Sequence, residues 1–274
     1  MNYQTEKEFL NHYDIKKYKQ LSMTIDLLLV SISEEETNNY RKTNRKKMSV
    51  LLIKRDTFPF KGQYCLPGGF INPDKETMEE CAKRVLKEEV NYEDIYLEQL
   101  YTFDSLTRDP RCRVISCSYM ALVDKTKIKE ELKDKASWFD IRFHEEGNLI
   151  DIELNNGKEI LRYQVEKKLK EHSTDRFLYQ FISGDTLAFD HNIVIITGIE
   201  RLRNKINYTD VVFNMMPKYF TLGELQQVYE VILGKKLLDP AFRRIIGDKV
   251  KKTNTIQKGK GHRPSIMYEY KERE

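Results

Sequence analysis

Apolar runs and one long helical period divide the first half of the chain. Residues 23–31 and 48–54 are nearly continuous Leu, Ile and Val, which predicts two buried strands. Between them lies EEETNNYRKTNRKK, a charged, turn-rich loop. A Gly/Pro-rich segment follows, Phe58 to Phe70. From Glu76 to Val90 the positions Met78, Ala82, Val85, Leu86 and Val90 fall on one side of a predicted helix. Leu97–Phe103 and Val114–Val123 predict two more strands. Residues 124–171 are strongly charged, with one strand signal at Leu149–Leu154 ahead of an Asn155-Asn156-Gly157 turn. A helix is expected over Arg162–His172, and the apolar stretch Phe177–Ile182 starts another structured segment.

The pattern changes after Asp190. Ile193, Ile196, Ile199, Leu202 and Ile206 form a helical stripe, with Asp190 or Asn192 as its cap. Its apolar face can dock on the preceding body or on a second copy. Beyond Pro217, Thr221 precedes Glu224 at capping-box spacing, and LGELQQVYEVIL runs on to a terminating Gly234. Pro240 sits at a first helical position in PAFRRIIGDKV. Two polar strands are expected at Val250–Gln257 and Ser265–Tyr270, joined by KGKGHRP. No internal repeat is present.

Composition excludes several classes. The 274 residues are 40% hydrophobic, enough for real cores. No run of about 18 apolar residues is available for a membrane span, and the polar N-terminus has no signal-peptide core. Cys65, Cys81, Cys112 and Cys117 form no CxxC pair, so reduced thiols and a cytoplasmic location are expected. Charge is uneven. Residues 192–274 hold 16 Lys/Arg against 9 Asp/Glu, while residues 1–191 hold 31 against 34. A mildly acidic body thus carries a basic module, which points to a polyanion partner for that module or to a solvated basic tail.

Chemistry concentrates in two places. After Gly68 and Gly69 the chain enters a helix bearing Glu76, Glu79, Glu80, Glu88 and Glu89, with Arg84 spaced to pair with Glu88. Adjacent carboxylates suit a hard cation such as Mg²⁺; a solvated helix with ion pairs is the plain alternative. Residues 219–270 fit a winged helix-turn-helix. Thr221–Leu233 is its first helix, and Asp239 to about Asp248 is a recognition helix carrying Arg243 and Arg244. The wing carries Lys251, Lys252, Lys258, Lys260, His262 and Arg263. In that arrangement the helix reads the major groove and the wing holds phosphates. A protein-binding winged helix is the alternative.

The segment Gly68 to Val90 resembles the Nudix box, GX5EX7REUXEEXGU, where U is a bulky aliphatic. Glu76, Arg84, Leu86, Glu88 and Glu89 match. Counted from Gly69, Glu76 comes one residue late; Val85 stands where a metal-binding Glu is expected, and Asn91 where a Gly is. The resemblance implies an α/β (α+β) fold over about residues 20–190: a Nudix α/β/α sandwich with a mixed sheet. It implies Mg²⁺ held weakly by Glu88 and Glu89, with Glu76 as a third candidate, and residual catalysis at most. Thr102–Arg111 is similar to the ADP-ribose pyrophosphatase-like subgroup. Arg108 and Arg111, with Gly68, Gly69 and Phe70, are therefore candidate ligand contacts, a buttressing Arg–Asp turn being the alternative for the arginines; Asp190-His191 is read as a helix cap, with a ligand contact as the alternative.

The order Nudix segment, Asp190-His191, Glu200-Arg201-Leu202-Arg203, then Phe220–Glu230 and Phe242-Arg243-Arg244 resembles the bacterial Nudix-related transcriptional regulators. That resemblance implies a Nudix-like domain over residues 1–191, with an insertion at about 124–175. A linking helix and winged helix would occupy 192–274. It also implies ADP-ribose or a pentose as effector, a duplex DNA operator and a homodimer without membrane attachment. The competing expectation is an active Mg²⁺-dependent Nudix hydrolase with an accessory DNA-binding domain.

Overall fold

β1 (Ser22–Glu34) is the central strand because both of its faces are apolar. Ile25, Leu27 and Leu29 join one buried cluster and Leu28, Val30 and Ile32 another, as the period-two alternation of a strand requires. The computed structural model describes residues 5–35, 45–91, 95–124, 135–174, 176–257 and 265–271. β1 pairs antiparallel with β2 (Lys46–Lys54) and parallel with β6 (Val114–Val123). β3 (Tyr64–Cys65) adds to β2, and β4 (Gly68–Phe70) adds to β1. The remaining strands are β5 (Tyr96–Phe103), β7 (Ala136–Glu146), β8 (Leu149–Asn155), β9 (Ile160–Leu169) and β10 (Phe177–Gly184). They complete a mixed sheet of order β10-β9-β8-β7-β2-β1-β6-β5.

Helices cover both faces, giving the α/β/α sandwich expected. A short exposed helix, α1 (Glu6–His12), precedes the sheet. α2 (Met78–Val90) packs Cys81, Ala82, Val85, Leu86 and Val90 on the Ile25 side. It begins at Met78 and not at Glu76, because Thr77 and Glu80 form a reciprocal capping box. α3 (His191–Lys205) packs Val194, Ile195, Ile199 and Leu202 on the Leu28 side. Its approach is close: a Cβ on Gly198 would lie 2.1 Å from Leu28 Cδ2. The stripe predicted over Ile193–Ile206 therefore docks on the body of its own chain.

The charged middle segment differs from expectation. Arg162–His172 is not a helix; most of it lies in β9, where Leu161, Tyr163 and Val165 point to the core and Arg162 and Gln164 do not. β7 was not among the expected strands, although Phe139, Ile141 and Phe143 alternate with Asp140 and Arg142 as a half-buried strand requires. Together β7 to β10 form an antiparallel meander extending the sheet.

A 3-10 turn, Val211–Met215, leads to the C-terminal module: α4 (Leu222–Leu233), α5 (Asp239–Ile246), β11 (Val250–Gln257) and β12 (Ser265–Tyr270). The Thr221/Glu224 capping box opens α4, and Gly234 closes it at φ 68°, a left-handed conformation that glycine adopts without steric cost. Phe220, Leu225, Tyr229, Ile232, Phe242 and Ile246 fill the core of this module.

Candidate functional site

A cleft of about 290 Å³ opens on the α3 side of the sheet, between β1, β4 and the start of α3. Gly68, Gly69 and Phe70 line it, as do Arg108 and Arg111, so the structure brings these five sequence candidates together. Gly68 is required by close approach: a Cβ there would meet Ile25 O at 2.6 Å and Asp26 Oδ1 at 2.7 Å.

The two arginines differ in setting. Arg108 is buried. Its Nη2 donates to Asp26 Oδ2 at 2.9 Å and to Asp190 Oδ1 at 2.8 Å, and its Nε donates to Asp190 Oδ2 at 3.1 Å. It therefore ties β1 to the residue preceding α3. Asp190 was expected to cap α3 and does not, because its carboxylate faces Arg108 instead. Asn192 does not cap it either; its Oδ1 accepts from Leu187 N–H at 2.8 Å. Arg111 is half-exposed, braced by Asp109 at 2.7 Å. Its guanidinium lies 5.3 Å from the Phe70 ring centroid and 5.9 Å from that of Phe189, in cation–π range.

Asp26 and His191 sit side by side at the base of the cleft. Burial disfavours the charged form of Asp26. His191, Arg108 and Ser116 overcome that and hold its carboxyl below the usual range. Ser116 Oγ donates to Asp26 Oδ2 at 2.6 Å. His191 Nδ1 accepts the Leu66 N–H at 2.9 Å, which assigns the hydrogen of a neutral ring to Nε2. Lys54, Arg55 and Lys135 add cationic groups along the rim.

Of the carboxylates of the α2 segment, Glu89 is near enough to Cys65 in the cleft lining to help raise that thiol's pKa. Glu76, Glu88 and Glu89 do not line the cleft. Glu76 is bound by Arg84 at 2.8 Å and accepts the Asn72 N–H, and these bonds bring its pKa down to about 2. Arg84 also pairs with Glu88 at 3.3 Å. Val85 is 2% exposed, packed in the apolar cluster beneath α2. Nudix domains as a family use a divalent cation. The donor set here does not fit one: the central carboxylate is a buried valine, Glu76 is tied to Arg84, and no group of three His, Cys, Asp or Glu among the described residues is arranged to hold a metal.

In the C-terminal module Arg243 and Arg244 are exposed on α5, while Phe242 and Ile246 anchor the helix beneath them. The turn before α5 is pinned by Glu230, which accepts from Leu237 N–H at 3.0 Å and from Lys236 Nζ at 2.6 Å. Lys251 and Lys252 are exposed on β11, Lys251 pairing with Glu269 at 3.2 Å. Lys258, Lys260, His262 and Arg263 lie outside the described residues. The four cysteines are free thiols, and no helix among the described residues is long and apolar enough to cross a membrane.

Comparison with known proteins fits both halves. Residues 40–158 match the model of the NUDIX domain family, and residues 212–270 match that of the NrtR DNA-binding winged helix domain. The chain is 30% identical over 272 residues to the ADPR responsive transcriptional repressor NtrR of Acinetobacter baylyi. That alignment covers 98% of this chain and 90% of the relative. The chain belongs to the Nudix-related transcriptional regulator family. Two solved structures share the architecture of this Nudix-related regulator. A MutT/nudix family protein from Enterococcus faecalis is 26% identical with a TM-score of 0.69, covering 97% of this chain and 94% of that one. Shewanella oneidensis NrtR complexed with a 27mer DNA is 26% identical with a TM-score of 0.61, covering 91% and 93%.

Sequence reasoning about this Nudix-related regulator missed Thr24, Asp26 and Phe189 in the cleft, and the cations Lys54, Arg55 and Lys135 on its rim. One signal was present: Asp26 is a lone carboxylate inside the apolar run MTIDLLLV, and a buried charge in a central strand needs a partner. Phe189 carried no such signal. It lies beside Arg111 on a left-handed backbone at φ 60°.

Proposed function

We propose that this family member is a repressor-type sensor. Its cleft binds ADP-ribose or a chemically similar pentose phosphate, and its winged helix binds a duplex operator as a homodimer. One observation carries the reading: α3 joins the two sites physically. Arg108 links the cleft strand β1 to Asp190 at one end of α3. At the other end Arg203 Nε donates to the Ile232 carbonyl of α4 at 3.0 Å. A ligand that moves the first contact acts on the second through a rigid helix. The rim cations Lys54, Arg55, Arg111 and Lys135 suit a diphosphate. Gly68, Gly69 and Phe70 supply the wall against which the ligand rests. Arg243 and Arg244 take base edges or phosphates, and Lys251, Lys252, Lys258, Lys260 and Arg263 take phosphates. A divalent cation has no part in this sensing reading. Efficient hydrolysis is not part of this reading, because Val85 stands buried where a metal-binding Glu is expected and Glu76 is tied to Arg84.

Effector titration with and without operator DNA tests this. Coupling between sites is reciprocal, so operator changes ADP-ribose affinity by the same factor as ADP-ribose changes operator affinity, about 5–150-fold. Equal effector affinities with and without operator overturn the reading.

A further inference from the structure

Two polar side-chain atoms in the cleft are buried and lack a hydrogen-bond partner among the described residues. Thr24 is 8% exposed and His191 is 2% exposed, yet among the described residues neither Thr24 Oγ1 nor His191 Nε2 makes a hydrogen bond of normal length. Both residues line the same cleft. Unsatisfied buried polar atoms are rare in native proteins, and each needs an explanation. A third group completes the set. Asp26 is two residues from Thr24 on β1, so both point to the same face of the strand. Its Oδ2 is engaged by Arg108 and Ser116. Its Oδ1 has His191 Nε2 at 3.5 Å, longer than the 2.7–3.2 Å of a normal N–H···O bond.

These atoms form an ordered set of donors and acceptors. His191 Nε2 donates, since Nδ1 is taken up by the Leu66 N–H. Asp26 Oδ1 accepts. Thr24 Oγ1 does either. One hydroxyl placed between His191 and Asp26 accepts from the imidazole and donates to the carboxylate. A second hydroxyl on the adjacent carbon would extend along the same face of β1 toward Thr24. An apolar group there would leave all three unsatisfied, and a phosphate would meet the Asp26 carboxylate.

We infer that Thr24, Asp26 and His191 form a subsite for the vicinal diol of a pentose. The inference rests on the sensor reading above and says which part of the effector goes deepest. The sugar hydroxyls sit at the base of the cleft, and the phosphates face Arg111 and the other rim cations. The subsite also places the ligand on His191, the first residue of α3, and beside the Arg108–Asp190 contact that fixes that helix.

Calorimetric titration of the full-length protein with ribose 5-phosphate, 2-deoxyribose 5-phosphate and ADP-ribose tests the subsite. The variants are Thr24→Val, which keeps shape and removes the hydroxyl, and His191→Asn, which keeps an acceptor for Leu66 and removes the Nε2 donor. Ribose 5-phosphate should bind about 5–150-fold more tightly than its 2-deoxy analogue, the range expected when a buried polar group loses its partner. Each variant should shrink that preference. Equal binding of the two sugar phosphates by the unmodified protein, or binding of neither, overturns the subsite, as does an unchanged preference in both folded variants. If a variant does not fold, the comparison of the two sugars on the unmodified protein decides alone. If ribose 5-phosphate shows the preference and ADP-ribose does not bind, the subsite stands and the proposed effector falls.

Discussion

Arg203 Nε donates to the backbone carbonyl of Ile232 at 3.0 Å, closing the last turn of α4 with a side chain from α3. The last carbonyls of a helix lack partners within the helix, and here the body of the protein provides one. Arg203 is itself held by Glu200 at 2.6 Å, and Glu200 by Lys167 of β9 at 3.1 Å. Its guanidinium carbon lies 4.4 Å from the Phe143 ring centroid. Sheet, linking helix and winged helix thus share one chain of contacts.

Arg203→Ala should destabilise the protein by about 1–3 kcal/mol, the penalty for leaving buried polar partners unmatched. It should also reduce the effect of ADP-ribose on operator binding more than operator binding itself. Chemical denaturation and operator titrations with and without ADP-ribose measure the two effects separately.

Val85→Glu restores the box residue but should not restore catalysis. The new carboxylate enters an apolar cluster and should cost about 3–5 kcal/mol, the range for an uncompensated buried charge. Denaturation midpoints read the cost. Hydrolysis of ADP-ribose with Mg²⁺ should stay slow for both proteins. Turnover of the unmodified chain on the order of 1–10³ per second would mean that it works as an enzyme.

On α5, replacing Arg243 or Arg244 with Ala should weaken operator binding by about 1–3 kcal/mol and relax base preference wherever a guanine contact is lost. Lys252→Ala should weaken all duplexes alike and lower the salt slope. Binding assays across salt concentrations and single-base operator variants separate the two behaviours. Unchanged binding by the Arg243→Ala/Arg244→Ala double variant would displace α5 from the groove.

Acid stability should depend on Glu76. Its pKa falls from 4.5 to about 2 on folding, chiefly through the Arg84 hydrogen bond. The unfolded state therefore binds more protons between those values. The stabilisation is complete above the unfolded pKa and is lost as pH falls through that window. Denaturation of wild type and Glu76→Gln should diverge above about pH 5 and converge toward pH 2. Parallel curves would show that the pair contributes nothing.

How much the sequence determined follows from the range of each interaction. The Thr221/Glu224 capping box, the Gly234 stop, Pro240 at the start of α5 and both wing strands were legible because each depends on residues a few positions apart. The apolar periods also located the sandwich strands β1, β2, β5 and β6 and the helices on its two faces. Spacing set out Arg84 against Glu88, and Val85 signalled a defective box. What the sequence left open depended on partners far along the chain. β9 read as a helix although Leu161, Tyr163 and Val165 alternate with polar residues; the segment is a strand because β8 and β10 lie on either side to pair its backbone. Asp190 read as a cap, but Arg108, 82 residues away, takes its carboxylate. Thr24, Asp26 and His191 carry no shared local pattern. Only the packing of α3 against β1 brings them to one cleft, since burial and hydrogen-bond satisfaction are properties of the folded surroundings and not of neighbours in sequence.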